Sequence, residues 1–169
     1  KRVRLLPEED RRDKYGRGLA HAFLEDGTNI NALLLREGHA YAIVVPPNTG
    51  RAIEYFQAEA EARQARRGIW ARDHYAIQPA RNAEEYFNTF RRLRGTVQHV
   101  QHGNRSVRLL FKEGLEAGIS AKHMEHFAAE DLAPARLAGR TVTVRGWVQR
   151  KQGRPVIYLA HPLQIEAVE

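Results

Sequence analysis

The sequence predicts a mixed α+β chain in two parts, strands with helices in the first and a small β-barrel-type sheet in the second. Three observations point there. Apolar residues alternate with polar ones in short runs, from KRVRLL at the start to TVTVRGWVQ near the end, which is the period of two that a half-buried strand requires. Two longer stretches, TNINALLLREG and RAIEYFQAEAEARQARRG, carry helical patterns, each with a glycine at or just beyond its end. Between the halves lies ARDHYAIQPARN, a polar, linker-like run around residues 71 to 82. The expected division is residues 1–75, a linker or short helix over 76–92, and residues 93–169.

The elements follow in order. KRVRLL is strand-like from its first residue, so the chain is expected to be a fragment whose true N-terminus lies upstream. The polar run PEEDRRD then reads as a solvated turn. Leu19 to Leu24 forms a second strand, closed by the turn EDG. Asn29 is placed to cap a short helix that Gly38 ends. HAYAIVV reads as an extended apolar run, broken by PPNTG. An alanine-rich helix of about four to five turns comes next, with Ile53, Phe56 and Ala60 as its apolar stripe, a stop at Gly68, and Ile69 and Trp70 as an anchor.

The second half opens with a short helical candidate, Ala83 to Arg91. RGTVQHVQ, SVRLLF, GLEAGIS, GRTVTVRGWVQ and PVIYLA read as five short strands, with a helix over AKHMEHFAAEDLA before the fourth. That order predicts a small Greek-key barrel of the oligonucleotide-binding kind.

With 169 residues the chain is long enough for two modest cores. Its 27 Lys and Arg against 20 Asp and Glu give a formal charge of +7 and favour a polyanionic partner, nucleic acid first. From Pro79 onward there are 14 basic and 9 acidic residues against 13 and 11 before it, so most of the excess lies in the second half. The absence of cysteine excludes disulfides, thiolate metal sites and a thiol nucleophile. No apolar run is long enough for a membrane-spanning helix, and the compartment is left open.

The most informative stretch is DKYGRGL, residues 13 to 19. Gly16 and Gly18 flank Arg17 and allow a tight turn at the mouth of a strand. An arginine held there can fork a phosphate with paired hydrogen bonds, or it can be a hairpin corner with a solvated charge. Spacing alone leaves both open.

DKYGRGLAHAF, DGTNINALLLREGHA and the ending ARRGIW, in this order, resemble the staphylococcal nuclease (thermonuclease) family over residues 1 to 75. The resemblance implies a small β-barrel with helices of the oligonucleotide-binding type, here incomplete, and Ca²⁺-dependent hydrolysis of phosphodiester bonds in DNA and RNA. It makes Arg17 the arginine that clamps the scissile phosphate as charge builds on it, and places Lys14 and Tyr15 against a second phosphate of the nucleotide. Departures are as informative. The family's metal-binding aspartates, its water-orienting carboxylate and its second arginine precede the strand matching KRVRLL and are not in this sequence. Glu8, Glu9, Asp10 and Asp13 offer carboxylates nearby, read as part of a solvated turn. Val44 and Pro46 stand where the family frames the nucleotide with tyrosines. The barrel would stand open unless an upstream segment or another chain completes it. The chain alone is expected to be inactive and to bind Ca²⁺ without tightness.

In the second half, VRGWVQRKQGRP resembles the strand–turn–strand of nucleic-acid-binding barrels, including those on some aminoacyl-tRNA synthetases. Alternation puts Val142, Val144 and Val148 inward and Thr141, Thr143, Arg145, Trp147 and Gln149 outward, while Val107, Leu109 and Phe111 face in and Arg108 out. Arg108, Arg145 and Trp147 are therefore candidates to pair phosphates and stack a base. Trp147 can equally plug a contact between domains. His99 with His102, and His123 with His126, have i, i+3 spacing but lie in no recognisable zinc motif. His21 reads as a strand-face residue. Three functional classes follow: a nuclease, a non-catalytic nucleic-acid-binding module, and a protein-interaction domain using the face around Trp147.

Overall fold

Alternation in the first two strand candidates yields an antiparallel hairpin of β1 (Val3–Arg12) and β2 (Gly18–Leu24). The computed structural model describes residues 2–128 and 132–169, and the chain divides into two units, Lys1–His74 and Tyr75–Glu169. It is a mixed α+β structure, richer in strands than in α-helices.

In the first unit, β1 runs on through PEEDRR, which therefore belongs to the strand instead of a solvated turn. Its register shifts between Pro7 and Arg12, where proline and a bulge are tolerated on an edge. Helix α1 (Ile30–Arg36) starts where expected: the Asn29 side chain accepts hydrogen bonds from the amides of Asn31 and Ala32 at 3.1 and 3.3 Å. Helix α2 (Ala52–Gln64) packs on α1 through alanines. Ala58 and Ala62 are fully buried, and a cluster of Ala32, Leu35, Ala42 and Ala58 is backed by Tyr55 and Phe56.

The expected stripe on α2 is rotated. The buried positions are 52, 58, 59 and 62, and Ile53 is 66% exposed. Glu59 is inside because its carboxylate accepts the Ala42 amide at 2.6 Å and pairs with Arg63 at 3.1 Å. HAYAIVV keeps its alternation, with Ala42 and Val44 buried and Ile43 and Val45 exposed, but it joins no strand ladder among the described residues.

The two helix ends meet at a pair of glycines. Gly38 (φ +73°) and Gly68 (φ +52°) both take left-handed backbone, and the Ile69 amide donates to the Gly38 carbonyl at 2.9 Å. A Cβ on Gly38 would overlap the Arg67 carbonyl, and one on Gly68 the Gly38 carbonyl. Gly38→Ala is thus expected to destabilise this unit by about 1–3 kcal/mol, read as a lower urea midpoint at unchanged slope.

The second unit is built on one eight-stranded sheet. Its strands are β3 (Ile77–Pro79), β4 (Phe90–Gly103), β5 (Ser106–Phe111), β6 (Glu116–Ser120), β7 (Thr141–Trp147), β8 (Gln149–Lys151), β9 (Arg154–Leu159) and β10 (Ile165–Val168). The long β4 serves two partners: Phe90 to Thr96 pair with β7, and Val97 to Gly103 with β5. Just before the change of partner, Gly95 lies close to Ala80, Glu113 and Phe111, with no room for a side chain, and the register with β5 shifts between Val97 and His99. From β5 the pairing passes antiparallel to β6, parallel to β9, then antiparallel to β8, which follows β7 after Val148. Leu93, Val97, Leu109, Ile119, Val142, Val144, Ile157 and Leu159 fill the interior. The KQGR turn between β8 and β9 has positive φ at both Gln152 and Gly153, the two-residue turn that suits a twisted hairpin.

Several sequence-based expectations are corrected here. The segment predicted as linker holds β3, parallel to β4. The helix expected over residues 83–91 is a 3-10 helix at Ala80–Tyr86, and Phe90 to Arg91 already belong to β4. AKHMEHF forms a 3-10 helix at Ala121–Phe127, while residues 129–131 of that predicted helix lie outside the described residues. β10 was not anticipated.

Candidate nucleic-acid interface

In the first unit the DKYGRGL turn is organised by Asp13. One carboxylate oxygen accepts the Tyr15 and Arg17 amides, each at 2.9 Å, and the other accepts Arg17 Nε at 2.5 Å. Arg12 donates to the Gly16 carbonyl at 2.7 Å, and Gly16 takes φ +81°. Burial pushes the Asp13 carboxyl up, but hydrogen bonds from the Arg17 side chain and from the Arg17 and Tyr15 amides, together with the Arg17 charge, outweigh it and hold the group below the ordinary aspartate value.

This turn gathers Lys14, Tyr15 and Arg17. The Tyr15 ring is 71% exposed, with Lys14 Nζ 5.0 Å and the Arg17 guanidinium 5.3 Å from its centre. Because Asp13 holds Arg17 through Nε, both terminal nitrogens face outward, and among the described residues they carry no hydrogen bond. The result is a fixed fork of donors beside an exposed aromatic ring.

Behind the turn lies a polar network that sequence reasoning did not find. His21 is buried, with Nε2 3.0 Å from Glu8 and Nδ1 2.5 Å from the Tyr55 hydroxyl. Asn29 and Glu54 extend it, joined at 2.8 Å, and Arg51 closes it on Glu54 at 2.7 Å. Burial raises the Tyr55 hydroxyl above the ordinary phenol value, aided by Glu54 and Glu8 and opposed by Asn29 and Arg51. The network ties the hairpin to α2 and spends the Glu8 carboxylate.

Two of the four carboxylates around the turn on which a Ca²⁺ ion could draw are already paired. Glu8 is committed to His21 and Asp13 to Arg17, and among the described residues no group of three or more His, Cys, Asp or Glu is placed to hold a metal ion.

In the second unit the three sequence candidates part company. Arg108 faces out as expected, donating to Gln101 and lying 3.5 Å from Glu116. Trp147 is 49% exposed at the end of β7. Arg145, expected on the surface beside it, is instead buried at 1% exposure, 3.2 Å from Glu166 and 5.2 Å from the Phe90 ring centre. The strand β10 pairs with β7 edge to edge and supplies Glu166, so the face to which alternation points Arg145, opposite Val142 and Val144, holds a buried ion pair instead of open surface. His99 and His102 lie on β4, whereas His126 lies between His123 and His161 at ring separations of 6.1 and 5.9 Å.

Burial lowers the titration of His123, with Lys122 and His126 adding and Glu125 opposing, and burial with His126 lowers His161. A histidine depressed on folding is neutral in the native state, so its stabilising contribution is complete above the ordinary histidine value, about 6.5, and is lost as pH falls through the lowered value. The thermal midpoint of this unit is expected to fall on acidification below pH about 6.5, and His126→Gln to shrink that fall; identical profiles would contradict it.

Comparison with known proteins places these features in context. Residues 1–72 match the family model described as "Staphylococcal nuclease homologue". The thermonuclease of Staphylococcus intermedius is 42% identical over 71 residues, covering 42% of this chain and 42% of that protein. Two Bacillus subtilis (strain 168) proteins, the SPbeta prophage-derived endonuclease YokF and the endonuclease YncB, are each 42% identical over 67 residues; these span 39% of this chain and 22% and 31% of the relatives. The chain thus spans well under half of the length of each.

Proposed function

We propose, from the membership of residues 1–72 in the staphylococcal nuclease family, that the first unit is the phosphate-clamping part of a thermonuclease-type phosphodiesterase and the second an oligonucleotide-binding-type barrel that holds the strand. The observation that carries this reading is the Asp13-braced turn, which presents the Arg17 fork beside Tyr15 and Lys14. In hydrolysis such a fork stabilises charge that develops on the equatorial phosphate oxygens. The unbroken run of strand pairings from β4 through β5, β6 and β9 to β8, with the parallel pair β6 and β9 around one buried core, supports the barrel assignment.

Cleavage in this reading needs carboxylates, with their Ca²⁺, from a further segment or another chain, because Glu8 and Asp13 are paired elsewhere and no three ligands of the described residues converge. Supply by such a segment is also favoured by the apolar surface of the first unit, where Val3, Leu5, Ile43, Val45 and Ile53 are each at least half exposed. The test is a single-stranded DNA assay with Ca²⁺ and with chelator, for the wild-type chain and Arg17→Ala. The expected result is salt-sensitive binding without cleavage, weakened in the variant. Ca²⁺-dependent cleavage lost in Arg17→Ala would place the ligands within these 169 residues and overturn the requirement for a further segment.

A further inference from the structure

We propose that the second unit carries a base-stacking platform for single-stranded nucleic acid centred on Tyr158, with Arg108 and Lys151 as its flanking cations. The inference rests on the reading of this unit as the part that holds the strand.

Strand register sets the platform out. Gln101, Arg108, Gly118 and Tyr158 are successive partners across β4, β5, β6 and β9, a single row on the outer face. The neighbours of Tyr158 in sequence, Ile157 and Leu159, are buried in the core, so the backbone beneath the ring is fixed. Tyr158 itself is 46% exposed. Gly118 gives the ring its place: a Cβ there would sit 3.3 Å from the ring, so the absence of a side chain lets the tyrosine lie against the sheet. A large π surface on a strand paired on both sides is therefore open to solvent.

Charge defines what the surface accepts. Lys151 Nζ lies 6.0 Å from the Tyr158 ring centre, and Arg154, its partner across the β8–β9 turn, is exposed. Glu116 stands between Arg108 and Lys151, 3.5 and 4.0 Å away, with its side chain 10% exposed. One recessed carboxylate against three cations leaves the rim positive. An aromatic face with a positive rim matches a ligand that offers a flat base and a phosphate on either side. A duplex keeps its base faces stacked internally and cannot use the ring, so the ligand is single-stranded.

The experiment is fluorescence anisotropy with a labelled oligothymidylate of about 12 nucleotides, at several salt concentrations, using the full chain. Tyr158→Ala is expected to lose about 5- to 100-fold in affinity with the salt slope unchanged, while Tyr158→Phe binds like wild type. In the wild-type chain, oligonucleotide should shift the Tyr158 ring-proton resonances upfield, a readout that needs no variant to fold. Wild-type affinity in Tyr158→Ala, or unmoved resonances, would overturn the platform; if binding then still weakens with salt and with Arg17→Ala, the broader functional reading stands. No binding by the wild-type chain would overturn both.

Discussion

Glu166→Gln is expected to destabilise the second unit by about 3–5 kcal/mol, a cost typical of removing one partner from a buried ion pair. Glu166 holds two guanidiniums at once: Arg92 Nε and Nη2 at 2.8 and 2.7 Å, and Arg145 Nη1 at 3.2 Å. The side chains of Arg92, Glu166 and Arg145 are 14, 9 and 1% exposed, so solvent screens them weakly. Glutamine keeps the shape of glutamate and removes only the charge, leaving two desolvated cations facing a neutral amide. For a unit of this size each kcal/mol moves the thermal midpoint by about 4–8 °C, so the expected fall exceeds about 12 °C. Circular dichroism averages over the whole chain and does not isolate the unit, so the readout is hydrogen exchange of the β4 and β7 amides with the melt of the whole chain. A midpoint within about 2 °C of wild type would mean that water reaches the triad and screens its charges.

Arg145 also shows what a linear pattern can and cannot reveal. Alternation correctly separated Val142, Val144 and Val148 from the opposite face of their strand, because side-chain direction is a local property. Whether that opposite face meets water depends on side chains from other strands, Glu166 of β10 and Phe90 of β4, that gather on Arg145. The same limit explains Ile53: periodicity found an amphipathic helix, but choosing its buried side required knowing that α1 and the Ala42 segment pack against positions 58, 59 and 62. Local chemistry was legible. Asn29 and Gly38 bound α1 as read, and two glycines around Arg17 announced a tight turn. Asp13 fixes that turn, and its place four residues before Arg17 is the sequence signal for it. Tyr158 was hidden because its role depends on register with Gly118 and Arg108 on two other strands.

Arg17→Ala is expected to weaken binding of a short single-stranded DNA by about 10- to 100-fold at low salt, the range of hydrogen bonds to charged groups. The side chain is 75% exposed, so its worth in the free protein is small and its removal should leave the thermal midpoint unchanged. Binding is different, because a phosphate brought against the fork is desolvated on one side by the Tyr15 ring and meets both terminal nitrogens together. Losing one phosphate contact should also lower the slope of log K against log salt by about one. Arg17→Lys separates charge from geometry: a lysine restores the slope but, as a point charge on a flexible stem, recovers only part of the affinity. Should Arg17→Lys bind as tightly as wild type, the fork contributes charge alone, and the bracing of Nε by Asp13 has no part in recognition. Equal loss in both variants would show the opposite, that orientation of the guanidinium by Asp13 is what makes the turn a phosphate site.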